Sequence, residues 1–205
     1  MKQDEIVYVV DDDVSVREAL DGLLRSVGIV ARIFGSTKEF LSGWDGDPFA
    51  CLVLDVRMPG QSGLEFQQQL LKSNIQLPII FISAHGDIPM SVQAMKAGAV
   101  EFLPKPFREQ ALLDAIQAAL KKARSNHHAT SELKDLQDRF DALSERERQV
   151  MAQVAGGRLN KQIAAQLGLS EITVKIHRAQ AMRKLGAKSI VDLVRMADKL
   201  QISVE

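Results

Sequence analysis

Two periodicities alternate along the first part of the chain. The apolar runs Ile6-Val7-Tyr8-Val9-Val10, Cys51-Leu52-Val53-Leu54 and Pro78-Ile79-Ile80-Phe81-Ile82 have the length and β-branched content of buried strands, and residues 29–34 and 100–103 add two more. Between them apolar positions recur at helical spacing, most plainly at Val16, Leu20, Leu23, Leu24 and Val27 in the segment 14–27. Ser36 is placed to cap a short helix, Ser62 opens another running to about residue 72, and segments 89–97 and 108–122 complete the set. Five strands alternating with five helices predict a doubly wound α/β parallel sheet over residues 1–122.

The pattern then changes. Residues 123–142 begin with the polar Ser125-Asn126-His127-His128, a His pair expected to be solvated, and continue with Leu133, Leu136, Phe140 and Leu143 at alternating three- and four-residue intervals. That seam is too short for a stable coiled coil and predicts a mostly helical linker. From residue 143 onward short amphipathic helices follow. Ser144-Glu145-Arg146-Glu147 is a capping box, and Val150, Met151 and Val154 lie on one face of a helix ended by Gly156-Gly157. Asn160 is expected to cap 161–167, Gly168 makes the turn, and Ser170 caps a helix in which Ile172, Val174 and Ile176 begin a run to Leu185. Helix, glycine turn and capped helix form a helix-turn-helix, whose second helix enters the DNA major groove by its N-terminus.

Charge sharpens the division. The 205 residues carry a formal net charge of zero, but residues 1–124 hold 13 Lys/Arg against 16 Asp/Glu, a net of −3, and residues 144–205 hold 11 against 6, a net of +5. Only the back half is suited to a polyanion. The single cysteine, Cys51, sits in a predicted core strand, so no disulfide framework is implied. No stretch is long and apolar enough to span a bilayer and the acidic N-terminus lacks a signal-peptide pattern, so a cytoplasmic protein with no membrane partner is expected.

The candidate chemistry lies at strand ends. Asp55 closes the third strand before Val56-Arg57-Met58-Pro59-Gly60, and Asp11-Asp12-Asp13 follows the first. In an open parallel sheet the ligand site lies outside the carboxyl ends of the strands, so these carboxylates should converge. Crowded carboxylates resist joint ionisation without a cation, and oxygen ligands of this kind suit Mg2+. Lys105, between Pro104 and Pro106 after the fifth strand, supplies a second positive charge. Asp13 is expected only to begin the first helix, and Trp44 only to pack.

The acidic run after the first strand, the Asp ending the third, Ser83 after the fourth and Lys105-Pro106 after the fifth resemble the receiver domain of two-component response regulators, over about residues 6–122. The resemblance implies a flavodoxin-like sheet of strand order 2-1-3-4-5. It makes Asp55 the phosphoacceptor that attacks a phosphohistidine of a sensor histidine kinase. It makes Asp11, Asp12, Asp55 and the main-chain carbonyl of Arg57 the Mg2+ ligands, Lys105 and Ser83 the partners of the phosphoryl oxygens, and Ser83 with Phe102 the switch. His85 and Arg57 flank the cleft at positions that in such proteins tune hydrolysis of the acyl phosphate, and Lys105-Pro106 is expected to be cis.

Leu143-Ser-Glu-Arg-Glu-Arg, Asn160-Lys-Gln-Ile-Ala, Thr173-Val-Lys-Ile-His and Lys184-Leu resemble the four-helix DNA-binding domain of the LuxR type. Joined to a receiver, the chain is similar to NarL/FixJ-type response regulators, nearest the FixJ branch. By that resemblance Glu171, Thr173, Lys175, Arg178 and His177 face promoter DNA, and Asn160, Lys161, Arg183 and Lys188 contact phosphates. Ile190, Leu193, Val194 and Ala197 supply a dimerisation helix, so a homodimer would form on phosphorylation and bind half-sites about one turn apart, with RNA polymerase as a further partner.

Two other functions fit parts of the pattern. A Mg2+-dependent phosphohydrolase with nucleophilic Asp55 also clusters carboxylates, but needs a substrate cap and a further acid near the nucleophile, and Arg57 is not that acid. A DNA-binding protein whose receiver acts unphosphorylated would be signalled by missing acidic or Lys positions, yet Asp11, Asp12, Asp55, Ser83 and Lys105 are all present. A transcription factor whose receiver catalyses only its own phosphorylation and dephosphorylation, rather than an enzyme, is the expectation.

Overall fold

The structure, a computed structural model, describes residues 5–84 and 87–202, which fall into two compact units, residues up to 127 and residues from 128. In the first, strands β1 (Ile6–Val10), β2 (Val30–Phe34), β3 (Ala50–Asp55), β4 (Ile79–Ser83) and β5 (Glu101–Pro104) pair in parallel in the order β2-β1-β3-β4-β5. Helices α1 (Val14–Ser26), α2 (Thr37–Gly43), α3 (Gly63–Lys72), α4 (Ile88–Lys96) and α5 (Glu109–Asp141) follow the strands in turn.

Strands β1, β3 and β4 are buried along their whole length, which explains why they read as unbroken apolar runs. Successive side chains point to opposite faces. Tyr8, Val10, Leu52, Leu54 and Phe81 pack with Phe40 of α2 and Phe66 and Leu70 of α3, while Val7, Val9, Cys51, Val53, Ile80 and Ile82 pack with Leu20 and Leu24 of α1 and Leu112 and Ile116 of α5. Trp44 rests on the first layer, its ring centroid 5.2 Å from Tyr8 and 5.6 Å from Phe40.

Side-chain caps set the helix starts. Asp13 accepts from Ser15 N, Ser36 from Glu39 N and Asp87 from Met90 N, and Ser62 and Glu65 form a capping box. One boundary departs from the sequence pattern. The polar Ser125-Asn126-His127-His128 lies inside α5, which runs unbroken to Asp141. Residues 109–141 contain neither Gly nor Pro, so the polar stretch changes the helix's surface without stopping it.

The second unit holds α6 (Glu145–Ala155), α7 (Asn160–Leu167), α8 (Glu171–Leu185) and α9 (Ile190–Lys199). Its core gathers Leu136, Leu143, Val150, Met151, Val154, Ile163, Val174, Ala181, Leu185, Leu193 and Ala197. The expected cap of α7 is corrected. Leu159 holds the cap position, its N–H donates to Gln162 Oε1 at 2.8 Å, and Asn160 is the first helical residue. The Asn160 carboxamide is instead taken by Arg178, whose Nη1 donates to Oδ1 at 3.2 Å.

Candidate functional site

The strand order places the ends of β1, β3, β4 and β5 side by side, and the sequence puts Asp11, Asp55, Ser83 and Lys105 there. Lys105 Nζ donates to Asp11 Oδ2 at 2.6 Å and to Asp55 Oδ1 at 2.8 Å. Each remaining carboxylate oxygen is held by main chain: Asp13 N donates to Asp11 Oδ1 at 3.0 Å and Arg57 N to Asp55 Oδ2 at 2.6 Å. Both carboxylates are buried, while Asp12 is exposed. Ser83 is buried, its carbonyl accepts from Lys105 N at 2.8 Å, and Lys105-Pro106 is cis. Phe102 is half-buried, 6.3 Å between ring centroids from Phe81. His85 lies outside the described residues.

Burial pushes the Asp55 carboxyl above the usual aspartate range, the Asp11 charge adds to this, and the hydrogen bond and charge of Lys105 pull it back. Burial works against the Lys105 ammonium too, but its bonds to Asp11 and Asp55 outweigh that and hold it above the usual lysine range. The ammonium is thus the countercharge that lets two buried carboxylates share the cleft. Among the described residues no group of three or more His, Cys, Asp or Glu side chains is gathered into a metal cage. The two buried carboxylates with exposed Asp12 beside them still suit Mg2+, which uses one or two protein carboxylates and keeps several waters.

Two supporting residues escape sequence reasoning. Arg17 Nη1 donates to the Asp11 carbonyl at 2.6 Å. Gly63 opens α3 against the end of β3, where its N–H donates to Val56 O at 2.8 Å and a Cβ would overlap the Asp55 carbonyl oxygen. A glycine at the first helical position, where better helix formers are usual, is the signal that could have found it.

In the second unit α7 and α8 meet through Gly168, which is left-handed at φ 66° and leads to the Ser170 cap. Ser170 Oγ accepts from Thr173 N at 3.1 Å and lies 2.8 Å from Thr173 Oγ1. Glu171, Lys175, Lys161, Arg183 and Lys188 are exposed, whereas Arg178 is tied to Asn160. His177 is half-buried with Nδ1 turned inward, so only part of its ring faces out. Buried Glu147 joins α6 to α8, its Oε2 accepting from Lys184 Nζ and from Ser144 N, each at 2.7 Å.

Two of the four residues expected in the dimerisation helix face inward. Leu193 and Ala197 are buried in the module's own core and offer no surface, because the stripe at 190, 193, 194 and 197 is the inward stripe of an amphipathic helix. Ile190, Val191 and half-buried Val194 remain on the outer side. Ile172 and Ile176, which open the apolar run of α8, are also exposed.

Comparison with known proteins matches residues 7–117 to the response regulator receiver domain and residues 141–197 to the bacterial regulatory proteins of the luxR family. The chain is 54% identical to nodulation protein W of Bradyrhizobium diazoefficiens over 97% of its own length and 87% of that protein's. It is 39% identical to the transcriptional regulatory protein FixJ of the same organism over 93% of each. The solved structure of response regulator StyR superposes with a TM-score of 0.83 at 49% identity, covering 96% of this chain and all of that one.

Proposed function

The chain belongs to the two-component response regulators of the NarL/FixJ type, transcriptional regulators that join a receiver to a LuxR-type DNA-binding module, and on that premise we propose that Asp55 is its phosphoacceptor and that phosphorylation there switches self-association and DNA binding. The observation that carries this is the double bridge from Lys105 to Asp11 and Asp55. A buried carboxylate bonded directly to a cation that a phosphoryl group can also engage is a nucleophile with its countercharge in place.

In this reading a carboxylate oxygen of Asp55 forms the new O–P bond as the P–N bond to the kinase histidine breaks, leaving an acyl phosphate on Asp55. Lys105 follows the charge from carboxylate to phosphoryl oxygen. Asp11, Asp12, Asp55 and the Arg57 carbonyl would hold Mg2+, whose charge offsets that of the transferring phosphoryl group. Buried Ser83 donates its hydroxyl to a phosphoryl oxygen, and Phe102 moves inward as Ser83 moves.

The basic module answers by binding promoter DNA as a homodimer. Glu171, Lys175 and the outward edge of His177 face bases, Lys161, Arg183 and Lys188 face phosphates, and Asn160, Thr173 and Arg178 orient the face through their bonds to one another and to Ser170. The outer side of α9 at Ile190 and Val194 pairs the two copies, and RNA polymerase contact follows at the promoter. This operates in the cytoplasm; among the described residues no helix is long and apolar enough to cross a membrane.

The test is labelling by acetyl phosphate with Mg2+, read by intact mass and by DNA footprinting on the same sample. One hydroxylamine-sensitive phosphoryl group per chain, lost in Asp55→Asn and accompanied by a new footprint, is expected. A labelled protein whose DNA binding and self-association equal those of the untreated sample would refute the switch.

A further inference from the structure

We propose that Ile172 and Ile176 are specificity-determining residues that contact thymine methyl groups in the major groove; this rests on the DNA-binding role given to α8 above. At 100° per residue, Val174, Ala181 and Leu185 fall on one face of α8, and all three are buried in the module. Ile172, Ile176, Ala179 and Arg183 fall on the opposite face. Ile172 is 71% exposed and Ile176 51%. A helix with one buried face ordinarily carries polar side chains on the other, so an aliphatic pair one turn apart on the outer face calls for a partner.

The nature of the partner follows from what borders the pair. Exposed Lys175 and Arg183 lie beside it in a module of net +5, which favours a polyanion. The pair occupies the first two turns of the second helix of a helix-turn-helix, the part that meets base edges. Other polar groups of α8 are engaged within the module: Thr173 with Ser170, Arg178 with Asn160 and Lys184 with Glu147. The outward face therefore keeps the exposed polar groups of Glu171, Lys175 and Arg183 around a continuous aliphatic patch that none of them covers. The base feature that matches aliphatic surface is the C5-methyl of thymine.

The probe is a duplex recovered by in vitro selection from randomised DNA on the full-length chain treated with acetyl phosphate. Each thymine is then replaced by uracil, which deletes the methyl and nothing else. At one or more positions the wild type should lose about fourfold in affinity, the loss for uncovering one methyl-sized group. Ile172→Ala or Ile176→Ala should weaken the unmodified duplex similarly and make it indifferent to uracil at the matching position, the non-additivity of groups in contact. Binding to unrelated DNA should stay unchanged, because phosphate contacts are untouched, and this also shows that the variants fold. Uracil effects that are absent, or equally large in both variants, overturn the proposal. So does an Ile→Ala variant that changes self-association without any base dependence, which would make the stripe an interface between copies. If selection recovers no preferred sequence, the DNA-binding reading itself fails, a result distinct from all of these.

Discussion

Replacing Lys105 by Met deletes the only cation touching two buried carboxylates among the described contacts while keeping most of the side-chain volume. At 2.6 and 2.8 Å, with an effective dielectric of about 20, its attraction to Asp11 and to Asp55 is about 6 kcal/mol each. Desolvation of three charged groups offsets much of this, and removing one partner of a buried pair leaves a net loss of about 3–5 kcal/mol. Lys105 keeps a partly wet side chain, so about 3 kcal/mol is the expected destabilisation of the receiver at pH 8 in EDTA. Acid relieves the loss. Burial and the Asp11 charge already raise the Asp55 carboxyl, and without Lys105 it rises further, so the folded variant binds more protons than the unfolded chain and its stability falls as pH rises. Millimolar Mg2+ should restore part of the loss at pH 8, because a cation again sits among the carboxylates. Trp44, the single tryptophan and part of the receiver core, reports this unit alone by fluorescence during urea unfolding. A variant within about 0.5 kcal/mol of the wild type at pH 8 in EDTA, well below the loss set for breaking a buried pair, would mean that Lys105 is not the countercharge.

Asp55→Asn should keep the Trp44 unfolding transition while the acyl phosphate disappears from the mass spectrum; label persisting in this variant moves the phosphoacceptor elsewhere. Gly63→Ala forces a methyl against the Asp55 carbonyl, so α3 must back away from β3; destabilisation of about 2 kcal/mol and slower labelling by acetyl phosphate are expected, and wild-type values for both would show that the approach is not tight. Lys184→Ala leaves the buried Glu147 carboxylate with only the neutral donors of Ser144, a loss of about 2 kcal/mol at neutral pH given the partial exposure of Lys184. Burial alone would raise the Glu147 carboxyl, but its bonds from Lys184 and Ser144 win and hold it below the usual glutamate range. Its contribution is therefore full above the ordinary carboxylate pKa and fades as the solution is acidified through the lowered one, so urea unfolding followed by helical circular dichroism should separate variant from wild type at pH 7 and show the gap closing as the solution is acidified below the ordinary carboxylate range.

What could be read from the chain without coordinates has a physical boundary. Asp11, Asp55 and Lys105 were legible because a parallel strand delivers the residues at its end to one edge, and strand order then decides which ends are neighbours, whereas Ser83 was legible only through the resemblance to receiver domains. No knowledge of side-chain packing is needed for that step. Periodicity, by contrast, says which residues share a helix face and not which face looks inward. On α9 the spacing of Ile190, Leu193, Val194 and Ala197 suits a core stripe as well as a dimer stripe, and the module claims Leu193 and Ala197 for itself. On α8 apolar residues occupy two opposite faces, so Ile172 and Ile176 sound like core until Val174, Ala181 and Leu185 are seen to fill that role.

Local chemistry fails in a related way when a distant group competes. Asn160 has the preferred identity for a cap, but Arg178, eighteen residues on, takes its carboxamide while Gln162 serves the helix end. The reach of Gly63 toward Asp55 likewise exists only once α3 is packed against β3. The residues hidden from sequence reasoning are thus those whose role is fixed by a partner on another element. Lys184, Arg178 and Thr173 are each bound within the module, which leaves the outer face of α8 to Ile172, Ile176 and the exposed cations beside them. Base selection by that face should therefore combine the thymine-methyl pattern with the hydrogen bonds that exposed Glu171 and Lys175 can make.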